Sequence, residues 1–529
     1  MRTLQTDVLI IGDGLAGLTA AFTAASAGAD VLISAKGECA SPAVIGFSCV
    51  VRKDDSPALF ARDMFNAGEH INRPELVSVF TQGAEELPER LLSLGLKPDR
   101  ENDELSLIRS LGHSVPRLVH QQLISGRELM NLISRRLEQM KVPRLQKTMC
   151  LSLSLRNKEV CGAVLWDMRE QEPIQLKTKS VVLACGGCHI MSRSTYPVDM
   201  TGDGWALAYH AGAILTDMEF IQFEPLRCVD KPIGLSTTML VKGGILLNNE
   251  GKRFVLDHYD SEGTPTKDEL SRLIAMEVLN GRGTNQEGIF ADMTHLDEDA
   301  IRKHQRIYER FERRGIDLKT TPVTVAPAAH SMMGGVLIDA RCFTGIPGLF
   351  AAGEVTGGLH GASRLGGNAG TEAVVMGKKA GTSAAAAART GSFTDPDDPE
   401  AFEKHLGSLM KRPVLPLDHQ VLLNKARKSM TEGMGPVRSR EGIQRTLSEL
   451  DTISETVRKT GIDAPGFLPH YASLSNYLLS ARIACLGALE RKESRGAHAR
   501  LDYPDRAQEA KRILFQKERG MIIEGVQND

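Results

Sequence analysis

The sequence predicts an α/β protein with a Rossmann-like dinucleotide-binding domain, an inserted α+β domain and a C-terminal helical domain. Three observations support this prediction. A glycine-rich segment directly follows an apolar run near the N-terminus, a second one occurs at 357–368, and amphipathic helical patterns begin after residue 400. The glycine-rich segments are the most informative, because each follows a short apolar run that is typical of a buried strand.

The first glycine-rich segment is Gly12-Asp13-Gly14-Leu15-Ala16-Gly17, between the strand Asp7–Ile11 and a small-residue helix, Leu15–Ala27. Such a turn lets backbone N–H groups approach a pyrophosphate at the positive end of a helix. A second strand is expected at Asp30–Ser34, where an acid usually binds the adenosine ribose. That acid is missing here, so Ser34 or Glu38 takes the role, or the role is unfilled.

The second glycine-rich segment is Gly357–Asn368, which follows the short strand and acid of Leu349–Glu354. A nicotinamide enzyme needs only the first cradle. A second segment that returns to the same site indicates a longer dinucleotide, and FAD is the first candidate. The Rossmann-like domain is therefore predicted to be an FAD-binding domain.

The pattern of elements predicts four segments along the chain. The FAD-binding domain comprises residues 1–225 and 330–390, residues 226–329 form the inserted α+β domain, and residues 391–529 form the helical domain. An insertion at about 51–145 is predicted to contain three helices: Pro57–Asn66, Pro74–Gly95 and Gly126–Lys141. A strand is expected within Gly243–Asn248, a linker at Thr394–Pro399, and amphipathic helices over 400–529.

Composition favours a globular enzyme and argues against two classes of partner. Hydrophobic residues make up 42% and charged residues 25% of the 529 residues, and the formal net charge is -2. This balance does not suggest a nucleic-acid partner. No apolar span approaches the roughly 18 residues of a membrane-crossing helix. We therefore expect a cytoplasmic protein without direct membrane insertion, which partner subunits could hold at a membrane.

The nine cysteines are scattered, and only Cys185 and Cys188 form a C-x-x-C pair. A cubane iron–sulfur cluster needs four cysteine ligands. The chain is therefore predicted to bind no metal, and any iron–sulfur centre would belong to a partner.

Several later motifs, in this order, resemble a known family. They are Ala184-Cys185-Gly186-Gly187, Thr201-Gly202-Asp203-Gly204, Met218–Pro225, Ala329–Gly335, the second glycine segment, and Arg491–Pro504. Together they resemble the flavoprotein subunits of succinate dehydrogenase and fumarate reductase, and L-aspartate oxidase, over nearly the whole chain. The resemblance implies that the inserted α+β domain is a capping domain and that an iron–sulfur electron-transfer subunit is a partner.

The resemblance also implies a set of FAD-binding positions, which lie mostly in the glycine-rich turns. They are Gly12, Gly14, Leu15, Ala16, Gly17, Ser34, Lys36, Gly46, Ala184, Gly186, Asp203, Glu354, Arg364, Gly367, Asn368 and Ala369. In membrane-bound relatives a histidine binds the flavin covalently, but the matching segment Cys39–Ser48 contains no histidine. FAD is therefore expected to be non-covalent.

The substrate implied by the resemblance is a small carboxylate. Arg364 and His330 match the residues that hold substrate carboxylates, and Arg364 suits this task because its planar fork can form two hydrogen bonds. Lys267 stands where the family has its proton-donating arginine, and Arg272 is the alternative donor. A lysine can act as a general acid.

Other positions depart from the family. Glu224 replaces a histidine, Ser236-Thr237 replaces a Thr-Glu pair that belongs to the proton relay, and Leu240 and Lys242 replace an arginine and an acid. Glu224 would repel a nearby carboxylate in a site of low dielectric constant. It could instead pair with Lys267, be protonated, or bind a cationic substrate group. Glu224, Ser236, Thr237, His330 and Arg364 are the predicted substrate-binding residues.

Three functions follow. The first is a fumarate reductase or succinate dehydrogenase type of reaction, which transfers hydride between flavin N5 and a C–C bond of a carboxylate. The second is L-aspartate oxidation. The third is a flavin-bearing electron-relay subunit in which Glu224 and Lys267 form a structural ion pair.

Overall fold

The computed structural model describes residues 2–414 and 418–526. The chain begins with a βαβ unit, as the first glycine segment predicts. Its elements are β1 (Arg2–Ile11), α1 (Leu15–Ser26) and β2 (Val31–Ala35). β1 pairs in parallel with β2, and four consecutive residues at the end of β1 are buried, as in a strand covered on both faces.

The insertion after β2 contains the three predicted helices, each within two residues of its predicted bounds. Its elements are β3 (Gly46–Ser48), α2 (Pro57–Ala67), α3 (Pro74–Ser93), β4 (Arg100–Glu101), β5 (Glu104–Leu105), β6 (Leu107–Ile108), β7 (Leu118–His120) and α4 (Ser125–Gln139). Pro57 and Pro74 each begin a helix, where the missing N–H of proline costs nothing.

Four more strands join the main sheet. They are β8 (Arg144–Gln146), β9 (Thr148–Arg156), β10 (Glu159–Asp167) and β11 (Glu172–Leu183). The sheet order is β8-β2-β1-β11-β10-β9, and β11 pairs in parallel with β1. The first glycine segment and Ala184 therefore lie side by side at the carboxyl ends of neighbouring parallel strands, where such sheets bind ligands.

The middle of the chain contains a second sheet and five of the α-helices. Its elements are α5 (Asp203–His210), β12 (Leu215–Thr216), β13 (Ile221–Cys228), α6 (Thr237–Val241), β14 (Ile245–Leu247), α7 (Lys267–Leu279), β15 (Ile289–Asp292), α8 (Glu298–Lys303), α9 (Gln305–Glu312) and β16 (Val323–Met332). Strands β13, β16, β15 and β14 form one sheet in that order. A separate apolar core between Leu226 and Val325 fills this part of the chain.

The last part of the chain returns to the main sheet and then becomes mostly helical. Its elements are β17 (Gly335–Leu337), β18 (Leu349–Ala351), β19 (Thr356–Gly357), α10 (Asn368–Thr390), α11 (Ala401–Met410), α12 (His419–Gly433), α13 (Arg440–Lys459), α14 (Leu468–Glu490), β20 (Lys511–Gln516) and β21 (Gly520–Gly525). β18 pairs with β11, which brings the second glycine segment to the same edge as the first.

One expectation about this last part is wrong. Residues 400–529 were expected to be amphipathic helices, but β20 and β21 form an antiparallel hairpin, and β20 also pairs with β12. The residues Ile513, Leu514 and Phe515 are buried against earlier parts of the chain. Because this pairing is long-range, the local pattern of the last thirty residues did not reveal it.

Candidate functional site

The first glycine segment forms a tight cradle at the start of α1. Gly12 has φ +109°, and a Cβ there would lie 2.3 Å from the carbonyl oxygen of Ala184. Gly14 is the N-cap of α1 and has no side chain to cap the helix, while the N–H of Leu15, its first residue, donates to the Ser41 hydroxyl at 3.0 Å. Any larger residue at position 12 would therefore collide with the backbone just after β11 and displace the turn that leads into the helix start.

The second glycine segment ends at the start of α10. Gly367 is the N-cap with φ +85°, followed by Asn368 and Ala369 as the first two helical residues. Asn368 is fully buried, and neither atom of its side-chain amide has a hydrogen-bond partner among the described residues. Buried polar atoms of this kind require a partner. Polar atoms of a flavin ring fit this position.

Close packing between α1 and α10 sets the distance between the two cradles. A Cβ on Gly377 would lie 2.7 Å from the carbonyl oxygen of Ala16, and one on Gly381 would lie 2.3 Å from that of Ala20. The helices therefore run in parallel, and the start of α10 lies about eight residues, or roughly 12 Å, beyond the start of α1. Two helix N-termini offset by this length suit the two ends of a long dinucleotide.

The other predicted cofactor residues surround these cradles. Lys36 Nζ lies 2.8 Å from Asp203 Oδ2 and 2.9 Å from the Ser473 hydroxyl. Glu354 accepts hydrogen bonds from the Tyr196 and Ser331 hydroxyls. Burial raises the pKa of Glu354. Lys36 and Asp203 are thus fixed by their own ion pair before any ligand binds.

The remaining predicted cofactor positions are packed against backbone or inside a sheet. A Cβ on Gly17 would lie 1.9 Å from the carbonyl oxygen of Gly12, and one on Gly46 would lie 2.5 Å from that of Val119. Ala184 follows β11 directly, and Gly186 has φ +69°. The Ser34 hydroxyl is buried and donates to the Thr148 carbonyl, whereas Glu38 is exposed. No contact in the described structure marks either one for the ribose.

A second group of predicted residues meets where β13 pairs with β16. The register pairs Gln222 with Ser331 and Phe223 with Ala329, so His330 is an extra, bulged residue between them. β-Bulges re-aim side chains and are common beside active sites. Glu224, which pairs with Ala328, follows directly on the opposite strand. This irregular register brings Glu224 and His330 together.

Lys267 reaches the same place from α7. It is the first residue of α7, and a capping box of Thr266 and Glu269 closes this end of the helix. Its Nζ forms a short ion pair with Glu224 Oε2. Arg272 is five residues further along α7, and its charge acts on Asp268 and Glu269 instead. The contact with Glu224 therefore favours Lys267 over Arg272 as the cation of this group.

Arg364 contributes from the second glycine segment. Its Nε donates to the Ser331 hydroxyl at 3.0 Å and its Nη1 to the Leu365 carbonyl at 3.2 Å. Nη2 has no protein partner within residues 2–414 and 418–526. The guanidinium is thus oriented by the protein while part of its fork remains available to a ligand.

The electrostatics separate the roles of these groups. Burial lowers the pKa of His330 to about 3, and the Lys267 charge adds to this effect, so the imidazole is neutral near pH 7. Its Nδ1 lies 2.9 Å from the Thr195 hydroxyl. Burial alone would raise the pKa of Glu224, but the charges of Lys267 and Arg364 hold it below its usual value. Glu224 is therefore ionised.

Ser236 and Thr237 do not join this group by any contact in the described structure. The Ser236 hydroxyl caps α6 by accepting from the Thr238 N–H, and it lies 2.6 Å from the Thr238 hydroxyl. Thr238 in turn lies 2.8 Å from His304 Nε2. Their predicted role in substrate binding therefore stays a prediction without a supporting contact.

Four residues near the group were not singled out from the sequence. Asp268 is buried and accepts from the Ser363 hydroxyl, and Gln222 donates to the carbonyl of Arg364. Thr195 contacts His330, and the charge of Arg227, three residues after Glu224 on β13, interacts with that of Glu224. Asp268 could have been found from its place next to Lys267. The positions of Gln222 and Arg227 depend on the register between β13 and β16, and that of Thr195 depends on a distant loop. The sequence carries no signal for either feature.

The C-terminal motif Arg491–Pro504 contacts the segment just before β13 and the loop of the second glycine segment. Arg491 Nη2 lies 2.7 Å from Glu219 Oε1, and both side chains are buried. The Ala497 N–H donates to the Ala362 carbonyl within the second glycine segment. The motif thus braces the segment before Glu224 and the loop that carries Arg364.

Two further observations bear on metals and membranes. In the described parts of the chain, all nine cysteines are free and no group of three or more His, Cys, Asp or Glu residues converges as a metal site. Burial raises the pKa of Cys185 and of Cys188 to about 12. No helix among the residues described is both long enough and apolar enough to cross a membrane.

Comparisons with known proteins agree with this geometry. Residues 7–369 match the FAD binding domain model, and residues 424–519 match the fumarate reductase flavoprotein C-terminal model. One subunit of the CoM/CoB fumarate reductase of Methanothermobacter marburgensis is 33% identical over 97% of both chains. The L-aspartate oxidase of Caulobacter vibrioides is 31% identical over 94% of this chain and 93% of its own.

A solved structure shows the same fold. FrdA of the Escherichia coli quinol fumarate reductase, solved as a point variant, superposes with a TM-score of 0.92 at 28% identity, over 99% of this chain and 97% of that chain. The buried, unpartnered Asn368 and the two cradles fit the FAD that these matches indicate. The chain belongs to the family of fumarate reductase and succinate dehydrogenase flavoproteins, which includes L-aspartate oxidase, and it is an FAD-dependent oxidoreductase.

Proposed function

We propose that the protein transfers a hydride between FAD and a C–C bond of a small carboxylic acid. The observation that carries the proposal is the convergence of Lys267, Glu224, His330 and Arg364 from α7, β13, β16 and the second glycine segment. Bound FAD supplies the two-electron hydride chemistry at its N5 atom. The side chains bind the acid and manage the proton.

Arg364 binds the substrate carboxylate. Its Nε and Nη1 are held by Ser331 and Leu365, so the fork is pre-oriented and loses little freedom when a carboxylate binds. The neutral ring of His330, held by Thr195, serves as a hydrogen-bonding partner without adding charge. The Ser331 hydroxyl accepts from Arg364 and donates to Glu354, so it links the proposed substrate-binding residues to a predicted cofactor residue.

Lys267 moves the proton. In the reductive direction, the hydride forms one new C–H bond, and the electron pair released from the C–C double bond takes a proton from Lys267 Nζ to form the other. Glu224 holds Nζ in place through their ion pair before transfer. In the oxidative direction, Lys267 accepts the same proton.

The domain bounds and the partners belong to this proposal. The separate apolar core between Leu226 and Val325 supports a capping domain at 226–329, between FAD-binding segments 1–225 and 330–390 and a C-terminal domain from 391. The relatives named as subunits support an iron–sulfur electron-transfer partner. A cytoplasmic location, with membrane association through partners, also stays a prediction.

L-aspartate oxidation is a second candidate, favoured by the relatives of that name that share about the same length of chain. An electron-relay subunit with an inactive substrate site is a third candidate, which the short Glu224–Lys267 ion pair supports.

Anaerobic flavin titration distinguishes the three. Oxidised holoenzyme is mixed with succinate or L-aspartate, and dithionite-reduced holoenzyme with fumarate, while the flavin absorbance is followed. Reoxidation by fumarate or reduction by succinate is the expected result. Reduction by L-aspartate alone would favour the oxidase. No response to any carboxylic acid would contradict the proposal and favour the relay subunit.

A further inference from the structure

We propose that Glu224 makes this site selective for a monocarboxylate whose second group on the reacting C–C bond is a neutral hydrogen-bond donor. A second carboxylate is disfavoured at that position. This inference rests on the proposed function and specifies its substrate class.

The position of Glu224 is the first argument. Its side chain is 16% exposed, contacts Lys267 Nζ, and lies beside the bulged His330 on the neighbouring strand. A substrate held between Arg364 and Lys267 therefore meets the Glu224 carboxylate at the end that Arg364 does not bind.

The charges around the substrate are the second argument. Glu224 is ionised and offsets the charge of Lys267, while His330 is neutral because burial lowers its pKa to about 3. Arg364 then remains as the cation with part of its fork available, enough for one carboxylate.

Arg227 is a further cation on β13. Four charges shift the pKa of His330, and in decreasing order of effect they belong to Lys267, Glu224, Arg364 and Arg227. The effect of Arg227 at this position is therefore the smallest of the four. The charges of Arg310 in α9 and of Arg314 just beyond it also act on Arg227 and lower its pKa, after burial. Arg227 does not cancel Glu224 in the immediate surroundings of His330.

The physical consequence is discrimination by repulsion. Two carboxylates facing each other in a partly buried site repel strongly, whereas an amide or hydroxyl donor forms a charge-assisted hydrogen bond with Glu224. A site with a buried acceptor also rejects an analogue that cannot donate to it. The repulsive and the attractive element therefore act on the same substrate position.

Fumarate and fumaramate test the inference, because they have nearly the same shape and differ in one carboxylate against one carboxamide. With dithionite-reduced holoenzyme, kcat/KM for fumaramate is expected to exceed that for fumarate by about tenfold or more. In Glu224→Gln and in Glu224→His the preference is expected to disappear or reverse. Each Glu224 variant also removes the ion-pair partner of Lys267, which affects turnover of both substrates. The ratio of the two kcat/KM values therefore isolates the repulsion between Glu224 and the second carboxylate.

Glu309→Gln is the matched control, since it removes the same charge from the exposed face of α9 and is expected to leave the ratio unchanged. Calorimetric binding of succinate and succinamate to the oxidised holoenzyme provides a readout independent of turnover, and succinamate is expected to bind more tightly. A wild-type enzyme that prefers fumarate, or an unchanged ratio in both Glu224 variants, would overturn the inference and leave the proposed function standing. Failure of both acids to reoxidise the flavin would instead contradict the proposed function.

Discussion

At the scale of single residues, the site is organised around the ion pair between Lys267 and Glu224. Helix α7 begins at Lys267 because Thr266 and Glu269 satisfy the first N–H groups of the helix. The stem of Lys267 is therefore anchored by a rigid helix start, while its ammonium group contacts Glu224. A positioned lysine of this kind can deliver a proton repeatedly to the same substrate atom.

Replacing Lys267 tests this role. Lys267→Ala is expected to slow substrate-linked turnover by about 10²-fold or more, the usual contribution of general acid–base catalysis. Flavin content and the rate of flavin reduction by dithionite should stay normal, since neither needs a substrate proton. Lys267→Arg should retain part of the activity. Arg272→Ala, five residues along the same helix, is the control, and a larger loss in that variant would move the proton donor to Arg272.

Arg364 gives a second prediction at this scale. Arg364→Lys keeps the charge but loses the fork, so two charge-assisted hydrogen bonds to the substrate are lost, at about 1.5–3 kcal/mol each. Steady-state kinetics should show a large increase in KM or no turnover, with one FAD still bound per chain. Unchanged kinetic constants would mean that Arg364 does not contact the substrate.

The sequence could identify the residues within motifs but not those placed by register. Arg364 and His330 stand in recognisable segments, and the structure brings Arg364 to Ser331 and His330 to Thr195. The bulge that turns His330 toward Glu224 is a property of the pairing between β13 and β16. Arg227 depends on the same pairing, and Thr195 reaches His330 from a loop between β11 and α5, so a linear pattern could not single them out.

At the scale of elements, the packing of α10 on α1 determines the site. Gly377 and Gly381 face the backbone of Ala16 and Ala20, which lets the two helix axes approach closely. The sequence predicted α1 and its cradle from the glycine pattern alone. It did not predict that α10 packs in parallel against α1, because that contact joins residues about 360 positions apart.

Gly381→Ala tests this contact. The new Cβ would lie 2.3 Å from the Ala20 carbonyl oxygen, so α10 must shift away from α1. Overpacking of this kind costs about 1–3 kcal/mol, and FAD affinity should fall because the two cradles move apart. Gly407→Ala in α11 is the control, since a Cβ there meets nothing within 4 Å. Thermal midpoints with and without FAD measure both effects, and equal behaviour of the two variants would contradict the prediction.

At the scale of the whole molecule, three parts of the chain meet at one site. The main sheet and α1 provide the first cradle, and β13 and α7 provide Glu224 and Lys267. The C-terminal motif braces the segment before Glu224 and the loop that carries Arg364. The order of motifs along the sequence predicted this architecture. The terminal hairpin was missed because its partner, β12, lies about 300 residues earlier.

The state of the cofactor is a prediction at this scale. Purified protein should be yellow, with about one FAD per chain, and acid or heat should release the flavin into the supernatant. The physical reason is that the segment Cys39–Ser48, which would carry a covalent link, contains no histidine. Absorbance of supernatant and pellet after precipitation measures the outcome, and flavin retained in the pellet would contradict non-covalent binding.

The distance along the chain between the two cradles has a consequence for biosynthesis. The βαβ unit that ends at Ala35 can form early, but α10 ends only at Thr390, so the second cradle is translated much later. At about 5–20 residues per second, a nascent chain spends roughly 20–70 s with the first cradle made and the second absent. FAD can then be captured firmly only late in synthesis or after release, and until that time the buried face of α1 that α10 will cover needs protection from aggregation.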